Sequence, residues 1–360
     1  MIRILTHFAL ATLSSITNLR RQAVAAPVSL AIAVFSAIPA PTAFAQSPFQ
    51  FPTANHALYE PGQELKFFAP TSPDKPWTSG SFGCVRNSAT RMHEGLDILH
   101  LHTDRHGEPT DPVMATADGT VVYVSSKAGL SNYGKYIVIR HIVEGLEIYS
   151  LYAHLSDVQS GVTAGKPVKA GQVIATMGRT SSNEAIAKDR AHCHFELNVF
   201  VNENFQNWYN KNVTGERNYH GIWNGLNLNG LDDREILLDE RDPKFSLLKF
   251  IRSQNELCRV LVRATSFPYV KRYAALVLKN PRAEKEGVAG YEIALNYNCV
   301  AFALMPRAAS EIKSPAKFQL LSVNEKVEAA SPCRHLVAQR GGHWQLTDRG
   351  QHELELLVQQ

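Results

Sequence analysis

The sequence predicts a mainly β protein, and three features carry that reading. The stretch 191–201 alternates with the two-residue period of a strand, Gly95 feeds the β-leaning run Leu96-Asp97-Ile98, and beyond residue 257 short apolar runs recur between Gly, Pro and Asn breaks. With 360 residues, 44% hydrophobic and 19% charged, the chain can bury a sizeable core and has room for two domains.

Taken in order, residues 1–45 read as a signal peptide. Arg20-Arg21 precede an apolar run from Ala23 to Ile38, followed by Pro39, Pro41 and the small-residue pattern Ala43-Phe44-Ala45, with cleavage expected before Gln46. The run is short for a membrane span and broken by Pro27, so no stable span is expected after processing. Arg3, Arg20 and Arg21 sit in this segment with no acid, so the overall charge of +4 falls near +1 in the remainder. That argues against a nucleic-acid partner, whose binding would rest on many phosphate contacts. Residues 46–78, rich in Pro and polar residues, read as a lead-in segment draped over a domain spanning 79–238.

Within that domain the strand period places His192, His194 and Glu196 on one face and Cys193, Phe195 and Leu197 on the other. One face is suited to chemistry and the other to packing. His93 and Asp97 are four apart, but Gly95 and the residues after it favour a loop feeding a strand over a helix. A helical His-Glu-x-x-His zinc motif fails here, because its fifth position is Asp97.

His93-Glu94-Gly95-Leu96-Asp97, Tyr152-Ala153-His154-Leu155 and His192-Cys193-His194-Phe195-Glu196 occur with Ser81-Phe82-Gly83-Cys84-Val85-Arg86 before them and Gly178-Arg179-Thr180 ahead of the last. In this order they resemble the lysostaphin-type, LytM-like zinc endopeptidases that act on peptidoglycan, over residues 79–201. The resemblance implies an antiparallel-sheet catalytic domain with an open groove. It also implies one zinc ion held by His93, Asp97 and His194, with His154 and His192 as the catalytic pair, and a peptidoglycan peptide as substrate.

The donor types agree with that implication. Two imidazoles and one carboxylate leave zinc net positive with a fourth position open, as a Lewis acid requires. Two further imidazoles suit proton transfer and stabilisation of an oxyanion. Glu196 is a candidate to hold one imidazole in its tautomer. A second reading is a non-catalytic LytM-like regulator that activates another wall hydrolase. An exported chain, periplasmic or extracellular, fits either.

Other candidates have blander readings. His100-Leu101-His102 with His106 reads as a solvated loop, and His141 as a structural residue. Five cysteines leave at least one unpaired in an oxidising compartment. Cys193 reads as a buried thiol, with a bridge to Cys84 open, and the pairing among Cys258, Cys299 and Cys333 is not chosen by sequence. The aromatics of 205–238 suit packing or a groove lining. Residues 239–360 read as a small mainly β module, with strands expected at 257–264, 274–278, 291–297 and 300–304 and a capped helix at the tail. A protein partner for this module is left open.

Overall fold

In the computed structural model, residues 49–360 other than Pro73 and Glu240 are described. The signal peptide expected over 1–45 lies outside them. Strand formation starts with a small antiparallel hairpin, β1 (Gly83–Arg86) and β2 (Arg91–His93). It leads directly into β3 (Leu96–Leu99). The link is Gly95, where an added Cβ would lie 2.1 Å from Phe195 O, so only glycine lets the backbones approach this closely.

The main sheet is seven-stranded among the described residues and pairs its strands antiparallel. Its long members are β4 (Gly119–Ser125), β5 (Tyr136–Val143), β6 (Leu146–Ala153) and β7 (His192–Phe200), with β8 (Leu228–Gly230) at one edge. Strands β5 and β6 meet across Glu144-Gly145, both with positive φ, which is the backbone a two-residue hairpin turn requires. Strand β7 lies between β6 and β8 and also pairs with β3. Every residue of β7 is buried. Its Cys193, Phe195, Leu197 and Val199 join the main apolar core, whereas His192, His194 and Glu196 take the other face.

The lead-in segment belongs to the same core. Phe49, Phe51, Phe67 and Phe68 are buried, and Phe68 bridges Ile98 of β3 while stacking on Trp77 at 5.2 Å. Each such side chain contributes about 1.5–3 kcal/mol by leaving water.

A second antiparallel sheet follows, built from β9 (Cys258–Val262), β10 (Gly290–Leu295), β11 (Ala301–Arg307) and β12 (Phe318–Val323), in the order β11-β10-β9-β12. The strand expected at 274–278 is not formed. Ala274–Leu276 is a 3-10 turn, and of the stretch Val277 makes an isolated bridge to Leu304. The reason is periodicity: Tyr273 and Leu276 are both buried, three residues apart, so a turn faces both inward where a strand would split them. The tail forms the helix Asp348–Leu357, capped by Thr347 Oγ1, which accepts from the Gly350 amide at 3.0 Å. The described residues group as one compact unit, and the sequence-based boundary at 238/239 falls inside it. No helix among them is long and apolar enough to cross a membrane.

Candidate functional site

Register brings the motif residues together. His194 on β7 stands opposite Asp97 on β3 and opposite Ala153 on β6, the residue before His154. His93 arrives at the end of β2, with two residues between it and the start of β3. His93, Asp97 and His194 are all buried, and each offers a ligand atom within 4.8 Å of the others.

The hydrogen bonds fix which nitrogens face inward. His93 Nδ1 donates to Ser81 O at 2.7 Å, which leaves its Nε2 lone pair toward Asp97 Oδ1 at 3.1 Å. His194 Nε2 donates to Glu196 Oε1 at 2.8 Å, which turns its Nδ1 to Asp97 Oδ1 at 2.9 Å. The two inward nitrogens are 3.1 Å apart. Around a tetrahedral ion with bonds of about 2.0–2.1 Å, ligand atoms stand about 3.3 Å from one another, so this triangle fits a zinc-sized cation. The charge preference agrees: Arg86 donates to Asp97 Oδ2, and its Nη2 lies 2.8 Å from His93 Nε2. A guanidinium thus rests on the lone pairs that a metal cation would use.

Titration follows the same logic. Burial opposes the charge of Asp97, but His192, His93 and Arg86 outweigh it and hold the carboxyl well below the usual range. Burial likewise works to lower His194, yet its hydrogen bonds to Asp97 and Glu196 prevail and raise it to about 9. His93 is lowered, chiefly by burial.

His154 and His192 stand beside this cluster, with ring centroids 4.8 Å apart. His154 Nδ1 donates to Thr180 O at 2.8 Å and His192 Nδ1 to Arg190 O at 2.7 Å, so both keep Nε2 free of backbone partners. His192 Nε2 is 3.4 Å from Asp97 Oδ1. Burial, followed by the neighbouring His192 and His194, pushes His154 well below an ordinary histidine. His154 has a φ of 60°, an uncommon conformation for a side-chain-bearing residue. Gly178 accommodates it, since a Cβ there would lie 2.7 Å from His154 O and 2.3 Å from Ser156 N. The motif Gly178-Arg179-Thr180 therefore both makes room for His154 and supplies the carbonyl that orients it.

All five motif residues are thus neighbours, and Glu196 holds His194 as its position on the strand face suggested. Other residues took the blander reading. His141 is buried and bonds Ser150 Oγ and Asp118 O. His100 bonds Ala191 O, His102 bonds Asp111, and His106 is exposed. The disulfide joins Cys84 to Cys333, so the Cys84–Cys193 bridge left open by sequence is not formed; Cys193, Cys258 and Cys299 are free and buried. Strand alternation explains this, because Cys193 points into the apolar core.

Sequence reasoning missed four contributors. Arg86 touches the ligand set, and Tyr133 donates its hydroxyl to Glu196 Oε1 at 2.7 Å. Arg334 pairs with Glu94 at 2.7 Å, tying the C-terminal segment to the loop between His93 and Asp97. Asn298 joins them, donating to Glu94 Oε2 and accepting from Arg334, both at 2.7 Å. The helix Phe205–Asn212 packs Trp208 on the tail helix, its Nε1 donating to His352 O, whereas Tyr219 is exposed and lines a groove beside the metal cluster.

Residues 91–208 match the family model described as Peptidase family M23. The chain is 35% identical to the DD-carboxypeptidase/endopeptidase Mpg of Neisseria meningitidis serogroup B over 111 residues, covering 30% of this chain and 23% of that protein. It is 36% identical to the murein hydrolase activator NlpD of Escherichia coli over 105 residues, covering 29% and 22%. A solved zinc containing peptidase from Vibrio cholerae is 33% identical over 29% of this chain and 26% of that one, with a TM-score of 0.22. The matches span less than a third of the length of these relatives.

Proposed function

Since residues 91–208 form a LytM-like domain of peptidase family M23, we propose that the chain is an exported zinc-dependent endopeptidase hydrolysing peptide bonds in peptidoglycan stem peptides or cross-bridges. In this reading His93, Asp97 and His194 hold one zinc ion per chain, and His154 and His192 are the catalytic pair. The observation that carries it is the convergence of both sets: a compact two-nitrogen, one-oxygen triangle with two oriented imidazoles beside it.

Bound zinc supplies Lewis acidity toward an amide carbonyl and toward water. The protein's own part starts with Asp97, which stays ionised and gives the ion one negative ligand, while the neutral imidazoles leave its positive charge largely uncancelled. Glu196 fixes His194 with Nδ1 inward, and Ser81 O fixes His93 with Nε2 inward. Thr180 O and Arg190 O hold the Nδ1 protons of His154 and His192, which leaves an Nε2 on each to work. One Nε2 accepts the proton of the attacking nucleophile and returns it to the departing amine. The other, protonated, donates to the developing oxyanion. Such groups each contribute on the order of 10² to 10⁴ in rate.

A second reading, that the domain activates another wall hydrolase, draws on the similarity to the murein hydrolase activator NlpD. The oriented pair His154 and His192 favours catalysis, because a binding surface has no use for two imidazoles whose Nδ1 protons are held by backbone carbonyls so that each Nε2 is turned to the cluster. Incubating the metal-loaded protein with purified sacculi, alone and with a second hydrolase, separates the two. Release of peptide fragments by the chain alone is expected; release only when the second enzyme is present supports the activator reading instead. In this reading the signal expected from the sequence over 1–45 directs the chain to the periplasm or outside the cell, and the C-terminal segment is the part proposed to meet a protein partner.

A further inference from the structure

Beside the metal cluster lies a groove of about 580 Å³. Of the site residues, His93 and His194 line it, so its contents border two of the proposed metal ligands, whereas Asp97, His154 and His192 are not among its lining residues. Its opposite side is made by residues 216–226 and by Arg334, His335 and Arg349, all beyond the M23-matched span. The disulfide from Cys84 to Cys333 fastens that side to β1, whose partner strand carries His93.

The charges of the lining do not cancel. Glu94 is taken by Arg334 at 2.7 Å and Glu196 by His194 at 2.8 Å, so neither is available to a ligand. Glu216 is the remaining carboxylate among the described lining residues. Against it stand Arg91 and Arg217, both exposed and neither in an ion pair among the described residues. The guanidinium of Arg217 lies over the ring of Tyr219, 5.2 Å from its centroid, which steadies the long side chain while leaving its N–H edge open. Arg91 stands two residues before His93 on β2, so the two project to one face about 7 Å apart. That distance is also about two residues of an extended peptide.

We propose that this groove selects acidic peptides, with Arg91 and Arg217 pairing with substrate carboxylates and the one held by Arg91 lying about two residues from the scissile bond. The proposal rests on the peptidase reading and names the substrate class of that same site. A guanidinium pairs with a carboxylate through two parallel N–H donors, and a carboxamide, which is neutral, forfeits both the charge and one acceptor.

The test uses the full mature chain, metal-loaded and carrying His154→Ala so that bound peptide is retained. Calorimetric titration compares a synthetic stem peptide with free carboxylates and the same peptide with carboxamides in their place. The acid form should bind at least about tenfold tighter, and adding Arg91→Gln with Arg217→Gln should bring the two within about twofold at unchanged metal content. Equal binding of the two peptides before those changes, or a preference that survives them, overturns the proposal. The readout is binding, so it stands apart from hydrolysis. An acid preference that vanishes with the two arginines, while the chain with His154 intact leaves sacculi uncut, would sustain the groove assignment and defeat the peptidase reading.

Discussion

The Nη2 of Arg86 lies 2.8 Å from Nε2 of His93, on the lone pair left when that ring gives its other proton to Ser81 O. The same guanidinium donates to Asp97 Oδ2. A protein cation and a metal cation therefore compete for one set of donors, and Arg86 has to withdraw for the ion to enter. Replacing it by a neutral residue of similar reach removes that competition. Arg86→Gln should tighten the zinc dissociation constant by on the order of tenfold, read by competition with a chromophoric chelator. Weaker binding would mean that Arg86 serves chiefly to orient Asp97.

Metal uptake should release protons. His194 is held at about 9 by Asp97 and Glu196 against the pull of burial, so at neutral pH its Nδ1 carries a proton that the ion has to displace. Apparent affinity should therefore fall about tenfold for each unit of acidification below that value. Glu196→Ala, which frees His194 Nε2, should cost about 10- to 100-fold in affinity. Chelator competition across pH measures both; a flat profile would contradict a proton on His194 Nδ1 in the metal-free protein.

Acid stability should depend on His141, which bonds Asp118 O and Ser150 Oγ and none of the cluster residues. Burial, opposed by its bond to Asp118 O, lowers this histidine from 6.5 to about 4. The unfolded chain then binds the proton first, so the contribution is complete above pH 6.5 and is lost as pH falls toward 4, amounting to about 3 kcal/mol. Chemical denaturation at a series of pH values should show this slope, and His141→Gln should flatten it.

Arg334 and Glu94 form an ion pair with side-chain exposures of 8% and 18%. Arg334→Ala strands the carboxylate of Glu94 and should cost about 3–5 kcal/mol of stability. Adding Glu94→Gln should recover part of that loss, and failure to recover any would place the cost elsewhere than in the buried charge.

Much of the site is legible in the sequence because it is local. The alternation of β7 alone assigns His192, His194 and Glu196 to one face and Cys193 to the core, and an Asp at position 97, where a second His would be needed, excludes the helical zinc motif. What sequence does not carry is pairing between distant segments. Tyr133 reaches Glu196 across 63 residues, and Cys84 reaches Cys333 across 249. Neither partner has a spacing that advertises the other, and five cysteines permit many bridges. The missing strand at 274–278 shows the opposite limit. A five-residue apolar run fits two periods, and only the burial of both Tyr273 and Leu276 decides for the turn.

The most direct test is mass spectrometry of fragments released from purified sacculi by the metal-loaded protein and by its His154→Ala variant at equal metal content. Peptide fragments bearing a newly freed amine and carboxyl are expected from the first, and none above background from the second. Undiminished release by His154→Ala, or no release by a wild-type chain that holds one zinc ion, would contradict the peptidase reading.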